Sequence, residues 1–433
     1  MSTPIPKEYI GPKPAWSNRI CFIVLSSGLG GTETLAIRQS RWLRRNNIRT
    51  AIITRAGVME AEYQDAFDQV LHLDDDEVDP GSLLMDEWYR LLDRLADGLR
   101  PHGGWHFMVF GQDGVFISSE LSARLSGSSS SIYLVDDLRY GPTKLEYIEE
   151  MSRHGLFFSM NKACLESHRR NYGYVLENAT VIPLPMSVMS EAKPVKKGAR
   201  LRVVTVARLV PMKGYIEGLI LAVSQAIRED GSDVELLIVG EGPLLARLKW
   251  VALRAGIARR VIFNGSVAYA ELTRFYREAD IFVGMGTTVL EAASHGTPVL
   301  IAESYTAEFR TPGAFSVVSG FELGEPIVSE TTPSGAGLLR RMLKDEELRA
   351  AEGVAGRTKM RSQFSEDVVM VRMLENLRTN ARQVINIPSP GQDKLCGESK
   401  RYVKRLFRGS QKIASLRRGL RAFWDATRAL ISR

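Results

Sequence analysis

Arg208 and Lys213 stand five residues apart in "ARLVPMKGYIEG", directly after an apolar run and just before Gly214 and a helical pattern. A guanidinium fork and a lysine point charge beside a helix N-terminus can together neutralise a diphosphate. Isolated basic residues are usually solvated surface cations, but the end of a buried strand favours the anion-binding reading. Further along, "VGMGTTVLEAASHGTPVLIA" (283–302) carries a single carboxylate, Glu291, in an apolar surround. Gly284 and Gly286 flank Met285, and Thr287 opens a helix that puts Glu291 on its second turn. Free amides at Gly286, Thr287 and Thr288 can bond ligand oxygens. Glu291 can accept two hydroxyl hydrogens at once, which suits a ribose diol, or it pairs with a neighbour as buried acids generally do.

Two more loops are rich in glycine. "SSGLGGTET" places Gly28, Gly30 and Gly31 before a helix, which fits either close approach to a ligand's phosphates or a tight turn. "VGEGPLLARL" places Glu241 and Gly242 before a Pro-initiated helix, and alone it could be only a strand-to-helix turn. The histidines supply no catalytic pair: His102 and His106 are four apart, but Gly103 and Gly104 between them argue against a helical metal face. His295 reads as a helix C-terminal cap.

The elements that must hold these loops are short apolar runs alternating with amphipathic segments. Candidate strands are 20–26, 50–54, 106–110, 131–135 and 156–160, then 201–207, 234–240, 260–265, 280–284 and 297–302. Most are apolar throughout, which suits strands covered by helices on both faces. The βα alternation predicts doubly wound parallel sheets, and it runs twice. We expect a first Rossmann-like domain over 1–190, a second over 191–364, a linker near 187–200, and ligands at the strands' carboxyl ends. "SGSSSS" (126–131) reads as a loop and "DDDE" (74–77) as a solvated acidic turn.

A chain of 433 residues is too long for one compact core. Its three cysteines are far apart and fit no disulfide framework or zinc spacing, so a reducing compartment is expected. No signal peptide and no membrane-spanning run is legible, which implies a cytoplasmic protein, free or on the inner face of a membrane. The net charge of +7 is a property of the tail. Residues 394–433 hold twelve Lys and Arg against two acids, leaving 45 against 48 elsewhere. Nucleic acid is therefore not an expected partner. Residues 386–433 read as a linker and a basic amphipathic tail. Its stretch 400–433 is suited to an anionic bilayer surface, or to docking on the body or a partner.

"VARLVPMKG", "LLIVGEGPL", "VIFNGSV" and "LEAASHGTPVLIA" follow one another in an order and spacing that resembles the GT-B fold retaining glycosyltransferases, more narrowly the family 4 enzymes of sucrose-synthase-like and mannosyltransferase-like type. The resemblance covers about residues 20–385 and implies a nucleotide-sugar donor, UDP- or GDP-linked, with no metal and no other cofactor. The position of Arg208 and that of Lys213 would bind and stabilise the departing diphosphate, assisted by Gly284–Thr288 amides and by Gly30 and Gly31 from the first domain. Glu241 and Gly242 would belong to the same donor site, Glu291 would bond the ribose and Val267 would lie near the base. Asp136, in "YLVDDLRYG", matches a first-domain histidine of the family and would contact acceptor or sugar, or else cap the next helix. The family's pair of glutamates has seven residues between its members, and the first of the pair falls on Val283 here. That leaves as alternatives an inactive GT-B relative acting as a membrane-associated assembly partner, or another GT-B nucleotide-sugar enzyme such as an epimerase. A crossover helix over 365–385 and a glycan or lipid-linked acceptor are further implications.

Overall fold

A computed structural model of the protein describes residues 16, 18–25, 31–55, 57, 59–74, 83, 85–111, 114–135, 142–188, 200–268, 271–325 and 332–381. The first sheet contains β1 (Arg19–Val24), β2 (Arg49–Arg55), β3 (Gln69–Leu73), β4 (His106–Phe110), β5 (Ser129–Leu134), β6 (Phe157–Ser159) and β7 (Thr180–Val181). The second contains β8 (Leu201–Val206), β9 (Val234–Val239), β10 (Val261–Gly265), β11 (Ile281–Gly284), β12 (Val299–Ile301) and β13 (Gly313–Ala314). Their spatial orders are β3-β2-β1-β4-β5-β6-β7 and β10-β9-β8-β11-β12-β13, and every pairing is parallel except β12 with β13. Each order reverses once, between β1 and β4 and between β8 and β11, and such a reversal opens a crevice at the strands' carboxyl ends.

The apolar runs form central strands because both faces of each sheet are covered. In the second sheet Val203, Leu236, Ile238 and Val283 pack into one core layer with the helix Tyr215–Asp230. Val204, Val206, Leu237, Val239 and Phe282 face the other layer, which continues into the first domain's core. Each such side chain contributes about 1.5–3 kcal/mol by leaving water.

The helix Glu366–Asn380 returns to the first domain. Trp42 donates its indole N–H to Asp367 (2.7 Å), Arg45 pairs with Glu366 (2.8 Å), and Trp16 donates to the carbonyl of Ala381 (3.1 Å). Among the described residues no helix is long and apolar enough to cross a membrane.

The serine-rich stretch departs from expectation. Ser129–Ser131 are not in a loop; they open β5, between β4 and β6, and all three are buried. The imidazole of His106, opposite them on β4, bonds the hydroxyls of Ser129 and Ser131 through both ring nitrogens (2.8 Å each), and Ser130 meets the hydroxyl of Tyr147 (3.3 Å). Composition misleads here because a polar strand is admissible in a core when its hydroxyls are bonded. Burial pushes His106 down to about 3, so it is a neutral structural group. β3, β7 and β13 are also absent from the expected strands, β3 being a half-buried edge strand and β7 and β13 only two residues long each. Residues 75–77 of the acidic turn lie outside the described residues.

Candidate functional site

Four expected loops lie side by side because their strands do. Reading across the second sheet from β10 to β11, the carboxyl ends carry Val267, then Glu241 and Gly242, then Arg208 and Lys213, then Gly284 to Glu291. Adjacent strands are about 4.8 Å apart, so this row of three steps is about 14 Å long, comparable to an extended nucleoside diphosphate. Arg208 and the glycine-threonine loop occupy the two neighbouring strands at the order reversal.

Arg208 is exposed and makes no ion pair with the described residues. Lys213 is half-buried and closes a short turn, Pro211–Lys213, before the helix Tyr215–Asp230. Burial is the largest influence on its ammonium; Glu325 opposes it and Arg208 reinforces it, and the balance brings the group from 10.5 down to about 8. The two cations therefore share one electrostatic environment.

The glycines of "VGEGP" have a backbone reason. A Cβ at Gly240 would lie 2.0 Å from the carbonyl oxygen of Ala207, and one at Gly242 would lie 2.5 Å from that of Leu209, at φ values of +128° and +152°. The loop after β9 is thus laced to the loop after β8, with Leu209 N–H donating to Glu241 (2.8 Å) and Leu244 N–H to Leu209 (2.9 Å). Gly242 packs directly against the backbone of Leu209, the residue after Arg208. Glu241 is exposed and reaches toward the end of β10, its Oε1 lying 3.2 Å from where a Cβ on Gly265 would stand. Val267 is half-buried beyond that strand.

Beyond β11, Gly286 adopts φ +71° with open space beside it, and the helix Thr287–Ser294 follows. The expectation of three free amides needs correction: Gly286 N–H donates to the carbonyl of Leu323 (2.7 Å). Thr287 and Thr288 supply the first helical amides, which have no partner within a helix. The Thr288 hydroxyl turns back to the carbonyl of Met285 (3.1 Å), and Gly284 is required because a Cβ there would lie 2.6 Å from the ring of Phe282. Glu291 accepts a hydrogen bond from the Tyr276 hydroxyl on Oε2. Tyr276 comes from the helix Leu272–Glu278, so its aromatic ring and hydroxyl set the carboxylate's orientation.

Val283 is fully buried inside β11, opposite Leu300. The family's spacing, counted back from Glu291, therefore lands in the sheet, where a carboxylate would be unpaired in the core.

One set of residues carries no signal in the sequence analysis. Glu322 accepts from the amides of Lys162 (3.0 Å) and Ala163 (3.2 Å), which begin the first-domain helix Lys162–Tyr172. Glu325 accepts from the side chain of Asn161 (2.8 Å), which follows β6. Burial raises both carboxyls. Position at the end of a first-sheet strand could have flagged Asn161; nothing in "GFELGEP" flags the two glutamates.

Gly31 begins the helix Gly31–Arg45, exposed and with open space around its Cα. Gly30, Asp136 and residues 400–433 lie outside the described residues. Among the described residues no three His, Cys, Asp or Glu side chains are grouped so as to hold a metal ion.

Residues 190–358 match the family model described as glycosyl transferases group 1. Over 209 residues the chain is 29% identical to a GDP-mannose-dependent alpha-(1-6)-phosphatidylinositol monomannoside mannosyltransferase of Mycobacterium tuberculosis, covering 45% of this chain and 52% of that protein. Over 190 residues it is 32% identical to a GDP-mannose-dependent monoacylated alpha-(1-6)-phosphatidylinositol monomannoside mannosyltransferase of Corynebacterium glutamicum, covering 41% and 46%. The chain spans about half the length of the curated relatives it matches. In fold it is similar to HepE of Anabaena, solved with UDP and glucose, with TM-score 0.60 and 16% identity over 83% of this chain and 99% of that one. A glycosyltransferase of Rickettsia africae gives TM-score 0.63 and 15% identity over 83% and 97%. Two Rossmann-like domains of the GT-B type are common to all three folds.

Proposed function

We propose that the protein transfers a sugar from a nucleotide-sugar to a glycan or lipid-linked acceptor; the match of residues 190–358 to the glycosyl transferases group 1 model and the GT-B fold support this reading. The observation that carries the reading is the row of loops from Val267 to Glu291 along one sheet edge. Among these loops the diphosphate is assigned to Arg208 and Lys213 and the ribose diol to Glu291, roles taken from the family resemblance. As the glycosidic bond to the diphosphate breaks, negative charge develops on the leaving oxygen. Arg208, Lys213 and the amides of Thr287 and Thr288 are aimed where that charge grows, which is how preorganised donors lower a barrier. Two cations so placed can serve in place of a divalent ion, which supports a metal-independent reaction. Retention of anomeric configuration is part of the proposal and follows from the family resemblance.

The names of the relatives make GDP-mannose the first donor to test and a phosphatidylinositol-based lipid the first acceptor class. A peripheral location on a membrane rests on the sequence of 400–433 alone. The inactive alternative stays as the second reading, because Val283 stands at the position counted for the family's first glutamate. The test is turnover of UDP- and GDP-sugars with and without chelator, with the anomer of the product read by NMR. Absence of both nucleotide binding and donor hydrolysis would refute the proposal. Turnover abolished by chelator and restored by a divalent ion would remove its metal-independent part.

A further inference from the structure

We infer that the outward face of the helix Leu245–Arg254 is a membrane-contact surface of the folded second domain, seated on an anionic lipid bilayer through Trp250 and Leu253. It lies in a different part of the chain from the basic stretch 400–433 and does not depend on which donor is used.

The helix is apolar on two opposite sides. Leu248, Val251 and Ala252 are buried against the domain, as in any amphipathic surface helix. On the other side Ala246, Trp250 and Leu253 fall at i, i+4 and i+7, one stripe of the helical repeat. That stripe faces solvent: Trp250 is 60% exposed and Leu253 67%. A third exposed side chain joins them from the neighbouring helix Tyr215–Asp230. Glu217, Leu221 and Ser224 share one face of that helix; Glu217 pairs with Arg247 (2.5 Å) and Ser224 donates to the Ala255 carbonyl (2.9 Å). Leu221, 53% exposed, therefore stands beside the helix Leu245–Arg254 at its solvent edge. One exposed leucine is ordinary, but a contiguous apolar group rimmed by charge marks an interaction site.

Charge selects the occupant. Residues 242–270 contain five Lys and Arg and no Asp or Glu. Arg247 and Arg260 are paired, with Glu217 and with Asp233 (2.6 Å). Lys249, Arg254 and Arg259 are exposed and make no ion pair among the described residues. By the helical repeat, Lys249 lies on one flank of the apolar stripe and Arg247 with Arg254 on the other. Arg254 covers one face of the Trp250 ring (5.6 Å to its centroid), and Lys249 lies over Phe263 (5.9 Å). An indole and a leucine between cations match a bilayer surface, where apolar groups enter the acyl boundary and Lys and Arg meet lipid phosphates. The same charges disfavour other occupants. A two-fold contact presents one patch to itself, so two copies meeting here would set like cations together with no acids between them. Residues 394–433, with twelve Lys and Arg against two acids, are repelled as well. The helix starts three residues after Gly242, and Trp250 is about 12 Å from that glycine. A body seated by this face therefore keeps the row of strand-end loops near the lipid headgroups.

The full chain is tested on vesicles of phosphatidylcholine with and without phosphatidylglycerol, by co-sedimentation and by quenching of tryptophan fluorescence with brominated lipid. Trp16, Trp42, Trp88 and Trp105 are buried, so quenching reports Trp250 and, from the tail, Trp424. Trp424→Phe is expected to remain quenched on anionic vesicles, and adding Trp250→Phe is expected to abolish the signal. Trp250→Ser with Leu253→Ser is expected to weaken binding about tenfold. Lys249→Gln with Arg254→Gln is expected to weaken it on anionic vesicles by about tenfold at low salt and by less at high salt. All four side chains stand in solvent, so melting temperatures should match the parent protein. Vesicle binding requires neither nucleotide nor turnover, so its outcome is separate from that of the donor-site reading. A parent protein that binds no vesicle overturns the inference. So does a Trp424→Phe variant that sediments with vesicles yet is not quenched, since the tail would then hold the membrane alone. A dimer in solution that the two serine substitutions dissociate, with vesicle binding unchanged, overturns it in favour of a second copy.

Discussion

The two sheets have the same parallel, doubly wound plan but distribute their polar residues differently. In the first, polar groups are drawn into the sheet and closed off: His106 with Ser129 and Ser131, and Ser40 with Thr50 (2.8 Å) and the Ala66 carbonyl (2.7 Å). In the second, the strand interiors are almost wholly apolar, and Arg208, Lys213 and Glu291 stand at the carboxyl ends. A hydrogen bond satisfied inside a sheet can only stabilise and specify the fold. A group at a strand end, only partly paired, retains the capacity to bind something else. The first region should therefore respond to mutation in stability, the second in ligand affinity and turnover.

The largest expected effect is on turnover. Lys213→Ala or Arg208→Ala should lower kcat/KM for donor by about a hundredfold to a thousandfold, the range for losing one preorganised charge donor. The melting temperature should barely move, and a variant that loses stability along with activity would blur the contrast. Lys213 also links the site to pH. Its folded value of about 8 lies below the 10.5 of the unfolded chain, so the unfolded state binds more protons between these values. The free protein should thus gain stability from this group as pH rises through that window, while donor affinity falls as pH passes about 8. Calorimetric titrations and melting curves over one pH series would reveal whether the two trends oppose each other.

Next comes His106→Ala, which leaves two buried hydroxyls unpaired and a cavity. We expect a loss of about 3 kcal/mol in stability, read by denaturant unfolding, with nucleotide affinity of the folded protein unchanged. The wild-type imidazole, held neutral at about 3, contributes stability that declines as pH falls below about 6.5. The variant should accordingly be less acid-sensitive, and equal acid sensitivity would count against a buried neutral histidine.

Gly242→Ala tests whether that glycine is structural. With the Leu209 carbonyl oxygen 2.5 Å from the added Cβ, the two loops must separate. A cost of about 2 kcal/mol is expected, with a parallel loss of nucleotide affinity as the loop that carries Arg208 is displaced. The smallest effect belongs to Tyr276→Phe, which removes one hydrogen bond to Glu291. Affinity for a ribonucleotide should fall by about 1 kcal/mol, and affinity for the 2′-deoxy analogue by less, which a comparative titration resolves.

Much of the second region is legible in the sequence because its signals are local. An apolar run, a glycine, a cation and a helix start lie within a dozen residues of one another, so "ARLVPMKG" and "VGMGTTVLEA" can be placed at strand ends without coordinates. The assignment of roles to those residues remains a proposal. The first region is harder to read. "SGSSSS" has the composition of a loop, and residues 126–128 do form one, but Ser129–Ser131 belong to β5, bonded to His106 more than twenty residues earlier in the chain. Alone, Gly242 reads in the sequence as a turn glycine whose donor role is only implied by resemblance; that a carbonyl on an adjacent loop excludes a side chain there is visible only in the structure.

Alternating apolar runs and helical segments suffice to specify two parallel sheets and the loops that must lie at their ends, because strand and helix periodicity are properties of neighbouring residues. Which amides are already engaged, as at Gly286, which side chains cross from one domain to the other, as with Glu325 and Asn161, and where Val283 falls were decided only by tertiary structure. Those facts depend on contacts between residues far apart in the chain. Hydrogen bonds and steric exclusion act over a few ångströms of space, whatever the separation along the sequence.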